Sequence, residues 1–169
     1  APLAPGSTVE QLTGMLKDCG AQLLFTETSA AEAVSAAQAL GLPCVSLDGS
    51  PVGTQLRDWV APEGTAFQAV TPEPGWAFNI IYSSGTTGEP KGIVQPHSMR
   101  WSHVRRGKTS GYGADTITLL STPLYSNTTL VVFFPTLTFG GTVVLMPKFN
   151  AQAYLQLAEN PAIFTALNA

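Results

Sequence analysis

Residues 82–92 form the stretch of the chain best suited to chemistry, and they read Tyr-Ser-Ser-Gly-Thr-Thr-Gly-Glu-Pro-Lys-Gly. Four aliphatic hydroxyls and three glycines accompany a single lysine, Lys91. Glycine lets backbone N–H groups come close to a ligand, hydroxyls donate to phosphate oxygens, and lysine supplies a compensating positive charge. The composition therefore predicts a loop that binds a polyphosphate.

This loop differs from two familiar phosphate-binding loops. A Walker A loop ends in Gly-Lys-Ser/Thr, whereas here Pro90 precedes Lys91 and Gly92 follows it. The Gly-x-Gly-x-x-Gly pattern of dinucleotide-binding folds is also missing from these residues. A plain Ser/Gly turn between two strands is the alternative, but the ordered run of eleven positions favours phosphate binding.

Followed five residues later by His97, the loop resembles the phosphate-loop signature of the adenylate-forming superfamily. That superfamily includes acyl-CoA synthetases, the adenylation domains of peptide synthetases and firefly-type luciferases. Residues 5–25 are similar to a helix and strand that lie well before the loop in the family. Residues 121–125, Ser-Thr-Pro-Leu-Tyr, resemble its second core motif, and residues 140–142 and 147–149 resemble the segment that follows.

The resemblance implies that ATP and a carboxylate react to give an acyl-adenylate and pyrophosphate, and that a thiol, usually coenzyme A, then displaces AMP. Lys91 and Thr86 would be the catalytic residues of this chain. The residues implied to bind the phosphates are Ser83, Ser84, Gly85, Thr86, Thr87, Gly88 and Lys91. Mg²⁺ would share the phosphate charge, and no set of protein metal ligands at metal-binding spacing is expected. Tyr125, Ser126 and Asn127 would lie at the acyl group.

Two departures qualify the resemblance. Many members place a histidine where this chain has Ser126, so we expect an acyl pocket of different shape or polarity. The Phe-Asp pattern of peptide synthetases is missing here, which favours an acyl-CoA synthetase acting on a fatty or related acid. Further family motifs would lie beyond Ala169, so the expected partners are ATP, coenzyme A, the acid and the rest of the same enzyme. The alternative is an incomplete piece that only binds nucleotide phosphates or serves as a structural or interaction module.

The elements that position this loop alternate between helix and strand. Helices are predicted at 8–18, 29–41, 128–137 and 151–158 and from 96 onwards, and strands at 21–25, 43–47, 77–82, 93–94, 116–120, 142–145 and 162–167. Short crossovers of this kind predict an α/β fold of layered parallel or mixed sheets flanked by helices. Residues 1–169 would be part of the large N-terminal domain of an adenylate-forming enzyme. Residues 48–76, rich in Pro and Gly, would connect two sub-regions.

Composition limits the classes of function. Charged residues make up 11% of the chain, the net charge is −3 and the mean hydropathy is +0.17. Such a chain is not disordered and is a poor match for nucleic acid, which needs clustered positive charge. Polar and Pro/Gly interruptions argue against a membrane span, and a cytoplasmic location is expected.

One cluster of cations stands out against this background. Arg100, Arg105, Arg106 and Lys108 fall within nine positions. We predict that they form the solvated face of a helix rather than a nucleic-acid patch. We expect His97 to be a structural or ligand-positioning residue rather than a general base.

Overall fold

The computed structural model describes residues 1–84 and 90–159. It divides the chain into two compact units, one of Ala1–Pro72 with Tyr82–Ile93 and the other of Glu73–Ile81 with Val94–Ala169. The helices are α1 Val9–Asp18, α2 Ala31–Ala39, α3 Leu56–Trp59, α4 His97–Thr109, α5 Asn127–Thr138 and α6 Ala151–Ala158. The strands are β1 Leu24–Thr26, β2 Cys44–Ser46, β3 Thr54–Gln55, β4 Ala77–Ser84, β5 Pro90–Pro96, β6 Ile117–Leu120 and β7 Thr142–Leu145.

The first unit contains a parallel sheet in the order β1-β2-β3. Leu12, Met15 and Leu16 recur at helical spacing on α1 and are buried against Ala36 and Ala37 of α2. The predicted parallel α/β fold is confirmed. Strand β3 and helix α3 lie inside the predicted 48–76 connection, which is therefore not wholly irregular.

Two helix starts differ from the sequence prediction. Ser7 and Glu10 have the spacing of a capping box, but the capping box of α1 is formed by Thr8 and Gln11, one residue further along. Helix α2 begins after Ala30, which caps it with no side-chain hydrogen bond, because the Ser29 hydroxyl bonds to the Glu27 carboxylate instead. A short-range side-chain partner has competed with the helix amides in that case.

Asp48 joins the segments that follow β1 and β2. Its Oδ2 accepts hydrogen bonds from the Thr28 backbone N–H at 2.8 Å and the Thr28 hydroxyl at 2.7 Å. Its Oδ1 accepts from the Ser46 hydroxyl and the Ser50 N–H, each at 3.1 Å. These donors, led by the Thr28 backbone N–H, hold the pKa of the Asp48 carboxyl well below its usual range.

The second unit contains the parallel pair β6-β7, in register from Ile117 opposite Thr142 to Leu120 opposite Leu145. Helices α4 and α5 pack closely, since a Cβ added at Gly107 would lie 2.6 Å from the Pro135 Cβ. Thr136 on α5 and Thr118 on β6 join their hydroxyls at 2.6 Å, and both residues are buried.

Strands β4 and β5 pair with each other and are longer than predicted. They extend into the residues expected to be loop, so that the span between them is residues 85–89. Helix α4 follows β5 directly, and its first N–H groups donate to backbone carbonyls, His97 to Trp76 at 3.0 Å and Ser98 to Pro74 at 2.9 Å.

Two further sequence predictions concern a last strand and a membrane-spanning helix. The strand predicted at 162–167 lies outside the described residues. Within 1–84 and 90–159, no helix is long and apolar enough to cross a membrane.

We predict that Gly53→Ala destabilises the protein much more than Gly64→Ala. Both glycines have positive φ, 68° and 79°, so either alanine costs about 1 kcal/mol in backbone strain. Only at Gly53 would the new Cβ meet backbone, 2.1 Å from the Cys44 carbonyl oxygen, whereas nothing lies within 4 Å at Gly64. Urea unfolding should show an additional loss of roughly 2 kcal/mol for Gly53→Ala. Equal losses would contradict the close approach of β3 to β2.

We predict that Asp48→Asn lowers the urea midpoint at pH 7, because the amide nitrogen cannot accept the hydrogen bonds that the carboxylate accepts. A lowered pKa in the folded protein stabilises it above the ordinary Asp pKa of about 3.9, and this stabilisation is lost as the pH falls further. The difference between variant and wild type should therefore shrink below that pH. Asp58→Asn, at an exposed residue paired with the neighbouring Arg57, is the control. A difference that does not vary with pH would contradict the role of the carboxylate charge.

Candidate functional site

The predicted phosphate-binding residues lie around the junction of β4 and β5. Ser83 and Ser84 end β4, and Lys91 is the second residue of β5. The side chains of Ser83 and Lys91 are exposed to solvent. The pairing of the strands thus brings the two serines and the lysine to either side of the connecting span. The other predicted members, Gly85, Thr86, Thr87 and Gly88, lie outside the described residues.

Tyr82 anchors the end of β4 within the first unit. Its hydroxyl donates to the Asp18 carboxylate at 2.7 Å and lies 3.0 Å from the Met15 carbonyl oxygen on α1. Burial and the Asp18 carboxylate raise the pKa of the Tyr82 phenol, so the hydroxyl keeps its proton. Since Tyr82 directly precedes Ser83, this bond holds the strand where the predicted phosphate-binding residues begin.

The predicted acyl-site residues lie in the second unit, at the start of α5. Tyr125 and Ser126 are half-buried, and Ser126 precedes the helix with no side-chain capping bond to it. Its hydroxyl lies 2.7 Å from that of Thr128, and its N–H donates to the Pro123 carbonyl at 3.0 Å. Asn127 is the first residue of the helix.

Arg100 corrects the prediction that all four clustered cations are solvated. Arg105, Arg106 and Lys108 are exposed, as predicted, but Arg100 is only 4% exposed. Its guanidinium Nη2, which carries two hydrogens, has three acceptors within hydrogen-bonding distance: the Gln95 Oε1, the Asn127 Oδ1 at 3.2 Å and the Asn79 Oδ1 at 3.4 Å.

Aromatic rings complete the surroundings of this guanidinium. Its Cζ lies 5.3 Å from the Phe134 ring centroid and 5.8 Å from that of Phe78. Phe78 also contacts His97 edge to face at 5.1 Å, which makes His97 a packing residue as expected. Phe134 packs here on Phe78 and Arg100.

Among the described residues, Arg100 is a buried cation without a carboxylate partner. The ion pair found within 1–84 and 90–159 joins Arg57 to Asp58, far along the chain from α4. Burial lowers the pKa of Arg100, and its Nε is buried with no hydrogen-bond partner in the described structure. His103 Nδ1 lies 3.5 Å from Arg100 Nη1, and burial and the positive charges of Arg100 and Arg106 lower the His103 pKa. Its Nδ1 must therefore be an acceptor, because a guanidinium can only donate.

A signal for this burial is present in the sequence. Arg100, Val104 and Gly107 are spaced i, i+4, i+7, and all three are buried on one face of α4. The prediction treated the four cations as one cluster and did not consider their positions around the helix. Reading the helix by its period assigns Arg100 to the packed face with Val104 and Gly107.

The described residues contain no group of three or more His, Cys, Asp or Glu placed to hold a metal ion. Mg²⁺ is commonly held by one or two protein oxygens, water and substrate phosphates rather than by a full protein cage. The exposed hydroxyl of Ser83, near the end of β4, suits that type of binding. The donor set is therefore compatible with a magnesium–nucleotide complex.

Comparisons with known proteins agree with the family resemblance of the chain as a whole. The family model described as "AMP-binding enzyme" matches residues 1–168. Phosphinothricin tripeptide synthetase PhsB of Streptomyces viridochromogenes is 30% identical over 85% of this chain and 12% of its own length. 4-Coumarate–CoA ligase 3 of Oryza sativa is 30% identical over 96% of this chain and 30% of its own. The chain thus spans less than a third of either relative.

Solved structures share the fold. The amide bond synthetase McbA from Marinactinospora thermotolerans superimposes with a TM-score of 0.76 at 26% identity, covering 93% of this chain and 32% of that one. A luciferase-like enzyme from the mealworm Zophobas morio gives 0.79 at 22% identity, covering 95% and 39%. With a family model matching almost every residue, the chain belongs to the AMP-binding enzyme family, and its α/β fold is that of part of the N-terminal domain of adenylate-forming enzymes.

Proposed function

We propose that the chain is part of an acyl-CoA synthetase, an ATP-dependent ligase that activates a carboxylic acid as its acyl-adenylate. The observation that carries the proposal is the placement of Ser83, Ser84 and Lys91 on paired strand ends on either side of the Ser/Thr/Gly span. Membership of the AMP-binding family supports the same reaction class. The proposed acid is a fatty or related carboxylate.

In the first step, a carboxylate oxygen attacks the α-phosphorus of ATP, a new P–O bond forms, and the bond to pyrophosphate breaks. Lys91 and the hydroxyls of Ser83, Ser84, Thr86 and Thr87 hold the β- and γ-phosphates, and so stabilise the charge that develops on the leaving group. Mg²⁺, when bound, neutralises further phosphate charge. The protein's contribution is positioning and electrostatics, because the reaction needs no protein nucleophile.

In the second step, the thiol sulfur attacks the acyl carbon and AMP leaves, which gives a thioester. We propose coenzyme A as the thiol. Two observations support it: the similarity to 4-coumarate–CoA ligase 3 and the residues after Tyr125, which lack the Phe-Asp pattern of peptide synthetases.

A second candidate is an adenylation domain that loads a peptide synthetase. The peptide synthetases among the relatives favour it, for example PhsB and surfactin synthase subunit 1 of Bacillus subtilis, 28% identical over 87% of this chain and 4% of its own length. The first step would be the same, with an amino acid as the carboxylate. The two candidates therefore differ in the carboxylic acid that is activated and in the thiol that accepts the acyl group.

We predict that Lys91→Ala lowers ATP–pyrophosphate exchange about 100-fold, as loss of one charge-stabilising donor does in other enzymes. The assay uses the protein encoded by the full reading frame that contains this chain, with a panel of fatty, aromatic and amino acids. Lys108→Ala is the matched control, since Lys108 is also exposed but lies on α4. Exchange by wild type that Lys91→Ala leaves unchanged would contradict the assigned role, and no exchange with any acid would contradict the proposed function.

We predict that the acid giving the fastest exchange is converted to its coenzyme A thioester, detected by chromatography and mass spectrometry. Coenzyme A should raise AMP release above the level with ATP and acid alone, because it removes the adenylate. An amino acid that exchanges well and forms no thioester with coenzyme A would favour the peptide-synthetase candidate.

A further inference from the structure

We propose that Arg100 and Gln95 orient the side-chain amide of Asn127 so that its N–H₂ group is presented to an oxygen acceptor of the carboxylic acid substrate. Arg100 is then a positioning residue, and Asn127 is a specificity-determining one. The inference rests on the proposed function, in which residues 125–127 lie at the acyl group. All of the contacts that carry it lie within the second compact unit.

The polarity of the network follows from chemistry. A guanidinium has donors only, so any amide group facing it must present its oxygen. The Asn127 Oδ1 lies 3.2 Å from Arg100 Nη2, and the same oxygen accepts from the Gln95 Nε2 at 3.1 Å. Gln95 in turn presents its Oε1 to Arg100. Rotating either amide by 180° would place an N–H₂ group against a donor.

This arrangement leaves the Asn127 Nδ2 available. Within the described structure, the Asn127 Nδ2 makes no hydrogen bond. It is nevertheless not a buried unsatisfied atom, because among the described side chains only Arg100 Nε is both fully buried and without a partner. The Asn127 nitrogen is therefore not sealed in the interior, which agrees with the half-buried state of the residue. A fixed amide with its oxygen inward and its nitrogen outward is a hydrogen-bond donor for a ligand oxygen.

The cost of the network argues for such a role. Removing a guanidinium from water without a carboxylate partner is unfavourable, and apolar side chains of similar volume often replace buried charged groups without loss of stability. Gln95 is 5% exposed, and Arg100 is buried beside it. What the charge provides that an apolar residue could not is a single orientation for Gln95 and Asn127.

The test compares steady-state kinetics of Asn127→Asp and Arg100→Met with wild type, again in the full reading frame. In Asn127→Asp the new carboxylate would still accept from Arg100, now as an ion pair, so this variant keeps the fold while losing the outward donor. We expect the KM for the acid to rise roughly 10-fold or more in both variants, with the KM for ATP unchanged within about 2-fold. Arg105→Met, on the exposed face of the same helix, should match wild type.

A double-mutant cycle separates positioning from a general structural effect. Once Asn127→Ala has removed the amide, adding Arg100→Met should not raise the acid KM further. Thermal unfolding of each variant checks that it is folded, and Asn127→Asp keeps the test valid if Arg100→Met does not fold. Wild-type exchange with an unchanged acid KM in Asn127→Asp would overturn this inference alone. Absence of exchange by wild type would overturn the proposed function and this inference with it.

Discussion

The buried guanidinium of Arg100 sets the constraint on one polar cluster of the second unit, which it forms with Gln95, Asn127, His103 and Asn79. Because it can only donate, every polar group that meets it must be an acceptor, and this requirement fixes the side chains of Gln95 and Asn127 and the tautomer of His103. These residues come from β5, α5 and α4 itself, and Asn79 adds β4. One charge thus specifies how four neighbouring side chains are oriented, which an apolar core would leave undetermined.

In the first unit, carboxylates rather than a guanidinium orient the neighbouring polar groups. Asp48 gathers donors from the segments after β1 and β2, and the Tyr82 hydroxyl reaches α1 through the Asp18 carboxylate. Asp48 and Asp18 both lie near the surface, where apolar packing is sparse. At each of the two positions the carboxylate therefore stabilises the end of a strand through hydrogen bonds. Ser83 and Lys91 are both exposed, Ser83 on β4 next to the Tyr82 anchor and Lys91 on β5, the strand that pairs with β4.

Sequence periodicity was sufficient for the elements with strong local signals and failed where longer-range contacts decide. The apolar stripe of α1 was predictable because its burial repeats with the helical period, whereas β6 and β7 were predictable as short apolar runs of strand length. Strand β3 was not, since it has two residues and depends on the close approach of Gly53 to β2. Strand pairing extends β4 to Ser84 and begins β5 at Pro90, and it overrode the loop preferences of Ser, Pro and Gly. For the site, the motif predicts phosphate-binding residues, but the network of Arg100 depends on partners 3 to 27 positions away.

The start of α4 differs from phosphate-binding loops that end in a helix. In those loops the phosphates rest on free N–H groups at the positive end of the helix dipole. Here the first two amides of α4 already donate to the carbonyls of Trp76 and Pro74. These two amides are therefore engaged within the chain, and they join the start of α4 to the segment that precedes β4. An anion at this end of the helix would have to compete with two backbone carbonyls for the same N–H groups.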